Sequence, residues 1–419
     1  MVLYIILTRN IINIGGAEIY TRNKYVFLKD KYNVSIISTN KGTIHINELK
    51  QFSNSIVEEL EVDPFFYSSK QRYKILGKIK KVLPLDKEYE DIIIESQTVQ
   101  LSLWGELLAK LINARCFCLL TEDRFPRLTS SSCDFFKFKL FRNELAGIAA
   151  ESLPMLFKNN YEIPSDKCNK LSFICTNSIE DIPSPFVIDR NGFDVVLGTI
   201  TRLEKICVPF ILDEILLFAK NNPNKRILFV FFGGSQNKRL EKQILAKMSI
   251  YKNLKFLLTG IIFPVPLSEV QKIDLFINVA GAANATRKKA IPTLVVELET
   301  GKPLGFLGVN TNASQYKTES NSYMDNSISN ILEHIYIKRT YSLEDIKAKL
   351  NIINSNIDFS SHESFIDSSI KLNPKDYYDF SKYVVSCKWK IIISILYEIF
   401  GIRFLKFTMK VYRIFFRNQ

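Results

Sequence analysis

Arg202 and Lys205 stand three residues apart in GTITRLEKICVPF, just past a strand-like run. Two cations at such a place can neutralise the charge that develops on a departing diphosphate. A solvated basic loop is the plainer account of the same residues. The stretch IINIGGAEIY at 11–20 raises a related choice. Gly15 and Gly16 lack a Cβ, so the backbone there can turn tightly and approach a ligand closely. The N–H groups of a helix opening after them would favour an anion. A bare strand-to-helix turn also fits. Glu297, between an apolar run and Gly301 in IPTLVVELETGKPLGF, is placed to accept hydrogen bonds from ribose hydroxyls, or is a surface carboxylate.

Several chemistries are disfavoured. The glycine pair is not G-x-G-x-x-G, and no acidic residue closes the second strand-like run, which argues against a nicotinamide enzyme. No D-x-D cluster offers itself to a metal, and no cofactor is expected. The seven cysteines form no C-x-x-C pair, and the chain has only three histidines, which argues against a Cys/His zinc site.

The elements that would position these residues alternate. VLYIIL, NVSIIST and DIIIE read as buried strands, with the first too short and lacking the flanks of a signal peptide. QLSLWGELLAKLI reads as a helix and CFCLLTED as a further strand. Residues 137–170 resist assignment, and the Pro/Ser-rich FICTNSIEDIPSPF suits a link. From Asp194 the alternation restarts with DVVLGTI, PFILDEILLFAK, RILFVFFGG and a charged helix from Asn237. DLFINVA follows, and TLVVELETGKPLGFLG reads as a last βα-type turn, with Ile261–Pro266 and Ala280–Ala290 as specificity loops. Repeated βα alternation over 419 residues implies two α/β domains with parallel sheets, near 1–185 and 190–340, and a helical tail at 341–419 that crosses back or meets a membrane.

The net charge of +13 asks for an anionic partner. Part of it gathers in the tail at 388–417, where Arg403, Lys406, Lys410, Arg413 and Arg417 step by 3, 4, 3 and 4 on one helical stripe. Trp389 and many phenylalanines accompany that stripe, as in a segment lying on an anionic membrane surface. Such bulk is unlike a helix that reads nucleic acid, so no nucleic-acid partner is expected.

Taken together, the chain resembles the retaining glycosyltransferases of the GT-B fold, in particular family 4, over most of residues 1–310. IGGAEIYTRNKYV is similar to that family's glycine-rich first loop, and FICTNSIED to a segment that keeps Asn177. TRLEKICVPFILDEI resembles the Arg/Lys loop, with the pair three apart instead of five. ILFVFFGGSQNKRLEKQI resembles the strand–glycine–helix unit that follows, and IPTLVVELETGKPLG the end of the E-x7-E motif, with Lys289 where the first Glu would stand. The resemblance implies two facing Rossmann-like domains plus the basic amphipathic C-terminal segment. It implies Arg202 and Lys205 as catalytic cations, and Gly15, Gly16, Gly233, Gly234, Lys289 and Glu297 as substrate-binding. It further implies a nucleotide-sugar donor, a lipid-linked or oligosaccharide acceptor, retention of configuration and no metal. With the tail, it suggests a cytoplasmic enzyme, peripheral on the inner face of the cell membrane, in cell-surface polysaccharide assembly. A catalytically degenerate glycan- or membrane-binding relative and a sugar-nucleotide epimerase remain the alternatives.

Overall fold

The computed structural model describes residues 1–12, 14–122, 125–148, 152–158, 161–172, 174, 179–235, 237–313, 324, 326–351, 358–385 and 387–416. Two compact units divide the chain: Met1–Asn13, Tyr20–Phe173 and Ile357–Gln419 form the first, Ile14–Ile19 and Ile174–Asn356 the second.

The first unit is built on β1 (Val2–Thr8), β2 (Asn33–Ser38), β3 (Asp91–Ser96), β4 (Arg115–Leu120) and β5 (Leu145–Gly147), ordered β2-β1-β3-β4-β5. All neighbours are parallel. Strands buried on both faces need continuous apolar runs, and six consecutive residues of β1, Leu3–Thr8, are buried. The associated helices are α1 (Gly16–Leu28), whose first four residues count with the second unit, α2 (Ser69–Val82), α3 (Val99–Ile112), α4 (Ser130–Phe141) and α5 (Ser152–Phe157). α2 starts with a capping box, Ser68 accepting from the Gln71 N–H and Gln71 from the Ser68 N–H. The stretch the sequence left unassigned, 137–170, thus completes α4 and supplies edge strand β5 and the short α5.

The second unit carries β7 (Val195–Ile200), β8 (Ile227–Phe232), β9 (Leu254–Leu258), β11 (Leu275–Asn278), β12 (Thr293–Val296) and β13 (Pro303–Phe306), ordered β13-β12-β11-β7-β8-β9. A parallel ribbon of β6 (Ile179–Glu180) and β10 (Val265–Pro266) stands apart from that sheet. Its helices are α6 (Val208–Asn221), α7 (Lys238–Met248), α8 (Leu267–Val270), α9 (Gly281–Lys288), α10 (Ile328–Tyr336) and α11 (Leu343–Lys349). Every residue of β8, ILFVFF, is buried, with Phe229 and Phe231 packed in the same cluster as Ile211 and Ile215 of α6. Reading outward from β7, this order is that of a classical dinucleotide-binding sheet, and it reverses direction between β7 and β11.

Two expectations change here. TLVVELETGKPLGF is no βα turn: β12 and β13 are antiparallel, closed by Gly301 N–H to Glu297 O at 2.9 Å and Glu297 N–H to Lys302 O at 2.9 Å. The connection is too short for a crossover helix, and Gly301, at φ 68°, makes the reversal. The Ala280–Ala290 loop is mostly α9.

The chain then returns to the first unit as α12 (Ser360–Leu372) and α13 (Cys387–Phe416). α13 is broken at Gly401, whose φ of 72° and ψ of −178° are non-helical. Among the described residues no helix is long and apolar enough to cross a membrane. Asn177 and Arg417 lie outside the described residues, as do the side chains of Trp389, Lys410 and Arg413.

Candidate functional site

In an open α/β sheet the ligand crevice lies at the carboxyl ends of the strands where the order reverses. In the second unit that point is reached by the loop after β7 and by the start of α9 after β11. The first of these is pinned to the end of β8: Thr201 N–H donates to Phe232 O at 3.1 Å and Leu203 N–H to Gly234 O at 3.2 Å. Arg202 sits between the two anchors with its side chain exposed. A one-turn reversal follows, Lys205 N–H to Arg202 O at 3.2 Å, so both cations belong to a single tight turn. Burial pushes the Cys207 thiol up from its ordinary range, with the Lys205 charge opposing. Glu204, between the cations, accepts the Ser235 hydroxyl.

Gly15 belongs to this unit and lies against Arg202. A Cβ added at Gly15 would come within 3.7 Å of the guanidinium carbon and 2.7 Å of a carboxylate oxygen of Glu18. Glu18, buried in the first turn of α1, therefore lies over the glycine. Gly16 is the first residue of α1 and is exposed.

The pair Gly233–Gly234 is explained by crossing backbones. A Cβ at Gly233 would fall 1.8 Å from the Thr201 carbonyl oxygen, and one at Gly234 within 3.2 Å of the Gly260–Ile261 main chain. The pair lets the loops after β7, β8 and β9 pass at close range. Its N–H groups are already engaged in part: Gly233 N–H donates to Thr259 Oγ1 at 3.3 Å.

Glu297 closes β12 and lies at the same sheet edge as Arg202. It is buried, and one carboxylate oxygen accepts the Thr300 hydroxyl. Lys289 does not join it. α9 carries the chain from the carboxyl end of β11 to the amino end of β12, and Lys289 caps its far end. The whole of β12 therefore separates Lys289 from Glu297. The two cannot address one donor sugar, and Lys289 leaves the candidate site.

Sequence reasoning missed the residues that follow β11. Asn278, the last residue of β11, accepts the Ile200 N–H at 2.8 Å and the Thr199 hydroxyl at 3.3 Å, tying β11 to β7. Ala280 then adopts φ 57° and ψ −132°, costly for a residue with a Cβ, and α9 opens on Gly281 and Ala282. A helix start with small side chains at a strand-order reversal suits an anion. The signal was NVAGAAN, small residues directly after a strand. Among the described residues no group of three His, Cys, Asp or Glu gathers as a metal site.

No protein-family model matches the chain, and no curated protein matches it by sequence. Solved structures do resemble it. Anabaena HepE in complex with UDP-glucose is 15% identical, over 88% of this chain and 100% of that one, at a TM-score of 0.56. The N-terminal domain of Candida albicans trehalose-6-phosphate phosphatase is 12% identical, over 88% and 97% of the respective chains, at 0.52. UDP-GlcNAc 2-epimerase from Neisseria meningitidis bound to UDP-GlcNAc is 16% identical, over 89% and 100%, at 0.46, too low to carry an argument. What these likenesses establish is fold: two Rossmann-like α/β units of the GT-B type.

Proposed function

We propose that this protein is a glycosyltransferase that takes a sugar from a nucleotide-sugar donor. The single observation behind the reading is the strand-order reversal at β7/β11, with the Arg202 turn following β7 and α9 opening after β11. The donor diphosphate lies there, against the exposed guanidinium and the N–H groups of Gly281 and Ala282. Arg202 and Lys205 stabilise the charge that builds on the leaving diphosphate, a task a divalent metal would otherwise serve, so transfer needs no metal. Glu297, two strands from β7 at the same edge, accepts hydrogen bonds from the ribose hydroxyls. The sugar keeps its anomeric configuration and passes to a lipid-linked glycan of a cell-surface polysaccharide, on the cytoplasmic face of a membrane. The bound UDP-glucose of a structure similar in fold supports the donor class.

The test is thermal stabilisation of the purified full chain by a panel of sugar nucleotides, followed by turnover. A donor at about 100 times its dissociation constant adds about 2.7 kcal/mol of stability. Arg202→Ala should remove that shift, and Lys289→Ala should leave it. Stabilisation unchanged in Arg202→Ala would overturn the site. Conversion of the sugar nucleotide without acceptor would mark an epimerase instead, and binding with neither transfer nor hydrolysis a non-catalytic relative.

A further inference from the structure

Of the tail's basic stripe, two side chains are described, and they differ: Arg403 is exposed, whereas Lys406 is half-buried. Lys406 turns in: its ammonium lies 3.0 Å from Glu61 and 3.9 Å from Glu58, and donates to Thr39 O at 3.2 Å. Besides the charged Lys390, Glu398 and Arg403, α13 exposes an apolar row. Ile391, Ile392, Ile395 and Ile399 fall within an arc of about 100° at helical spacing, with Ile391 58% and Ile399 65% exposed. The other side of the same segment is spent on the protein, with Ile393 buried and the Tyr397 hydroxyl donating to Glu59 at 3.1 Å. Beyond the break at Gly401, Phe404 and Phe407 are exposed as well.

Positive charge adjoins this row on a different helix. α2 reads SKQRYKILGKIKKV, six cations and no acid. It is clamped beside α13: Gln71 donates to Ser394 O at 3.1 Å and to Glu398 at 2.8 Å, and accepts the Ser394 hydroxyl at 2.8 Å. Lys70 and Lys74 flank Gln71 and are exposed, as is Lys81 one to two turns on, while Lys78 pairs with Glu59. Among the described residues Lys70, Lys74 and Lys81 form no ion pair.

We propose that the isoleucine face of α13 and the lysine stripe of α2 together form one docking surface for an anionic lipid bilayer. The isoleucines enter the boundary between headgroups and acyl chains, and the α2 ammonium groups meet lipid phosphates from the side. Charge complementarity selects this occupant over a second copy of the chain, whose matching face would bring one lysine stripe against another. The inference deepens the membrane placement proposed above but is read without any sugar nucleotide, so it stands or falls apart from the reaction.

Sedimentation of the full chain with vesicles tests it, comparing phosphatidylcholine alone with phosphatidylcholine containing phosphatidylglycerol. Binding should require the anionic lipid and weaken steeply with salt. Lys70→Glu with Lys74→Glu should weaken it by about a hundredfold or more, since each lysine near an anionic surface contributes about 1 kcal/mol and reversal also adds repulsion. Ile395→Ser with Ile399→Ser should weaken it at least tenfold while the tryptophan emission of the folded chain is unchanged. Failure of the wild-type chain to bind anionic vesicles would overturn the proposal, as would binding that survives both variant pairs. A concentration-dependent dimer abolished by the isoleucine pair would also overturn it, by assigning the face to a second copy.

Discussion

Replacing Glu95 by Gln should destabilise the first unit by about 3–5 kcal/mol, because it strands a buried ammonium. Lys24 on α1 and Glu95 on β3 meet at 3.0 Å with side chains 1% and 0% exposed. Glu95 also accepts the Tyr4 hydroxyl at 2.7 Å and the Tyr20 hydroxyl at 3.1 Å. Burial alone would raise its pKa, but the Lys24 charge and the Tyr4 hydroxyl outweigh that and hold it below the usual carboxylate range. Glutamine keeps an acceptor for the tyrosines and removes only the charge. Lys24→Met, which leaves the carboxylate stranded, should cost about as much on the same grounds, whereas the double variant buries neither charge. It should cost at least about 2 kcal/mol less than the sum of the singles. Both tryptophans, Trp104 and Trp389, belong to the first unit, so tryptophan emission during urea unfolding reads that unit's transition alone. Additive single effects, or a loss below about 1 kcal/mol for Glu95→Gln, would refute the reasoning.

The same cluster sets a pH dependence. His362 Nε2 donates to Ser172 O at 2.8 Å, which leaves Nδ1 to accept from Lys24 at 3.0 Å, and burial with the Lys24 charge brings its pKa down to about 4. The unfolded chain takes up that proton near pH 6.5 and the folded chain only near 4, so His362's contribution is full above pH 6.5 and falls away towards pH 4. The loss is up to about 1.4 kcal/mol per pH unit, and urea midpoints for wild type and His362→Gln across that window should show the slope only in the former. Gly233→Ala would put a Cβ 1.8 Å from the Thr201 carbonyl oxygen, so it should cost more than about 3 kcal/mol in the second unit's transition, read by circular dichroism. Lys406→Met should lower the melting temperature by breaking the Glu61 pair while changing vesicle binding less than twofold.

The α/β alternation was legible because strands buried on both faces must be apolar throughout, and DIIIE and ILFVFF have few other uses. The place of the Arg202 turn was legible for a similar reason, since residues just past a parallel strand arrive at the carboxyl edge of the sheet whatever the helices do. Lys289 and Glu297 were misjudged as a pair because spacing along the chain was read without knowing which elements lie between. A helix end and a strand end separated by β12 sit at opposite edges of the sheet. The tail was half legible: helical spacing located a basic stripe, but only packing shows Lys406 paired with Glu61 and leaves the isoleucines outside.

Local pattern, then, was enough for the fold class and for placing the Arg202 turn at a strand end, because periodicity and strand-end position act within a dozen residues. The strand order that makes β7 and β11 neighbours, the glycines at 233 and 234 that serve crossing backbones, and the partners of Lys24, His362 and Lys406 were decided by tertiary structure alone. Each depends on groups tens to hundreds of residues apart, and no local propensity records which distant carboxylate a buried cation will meet.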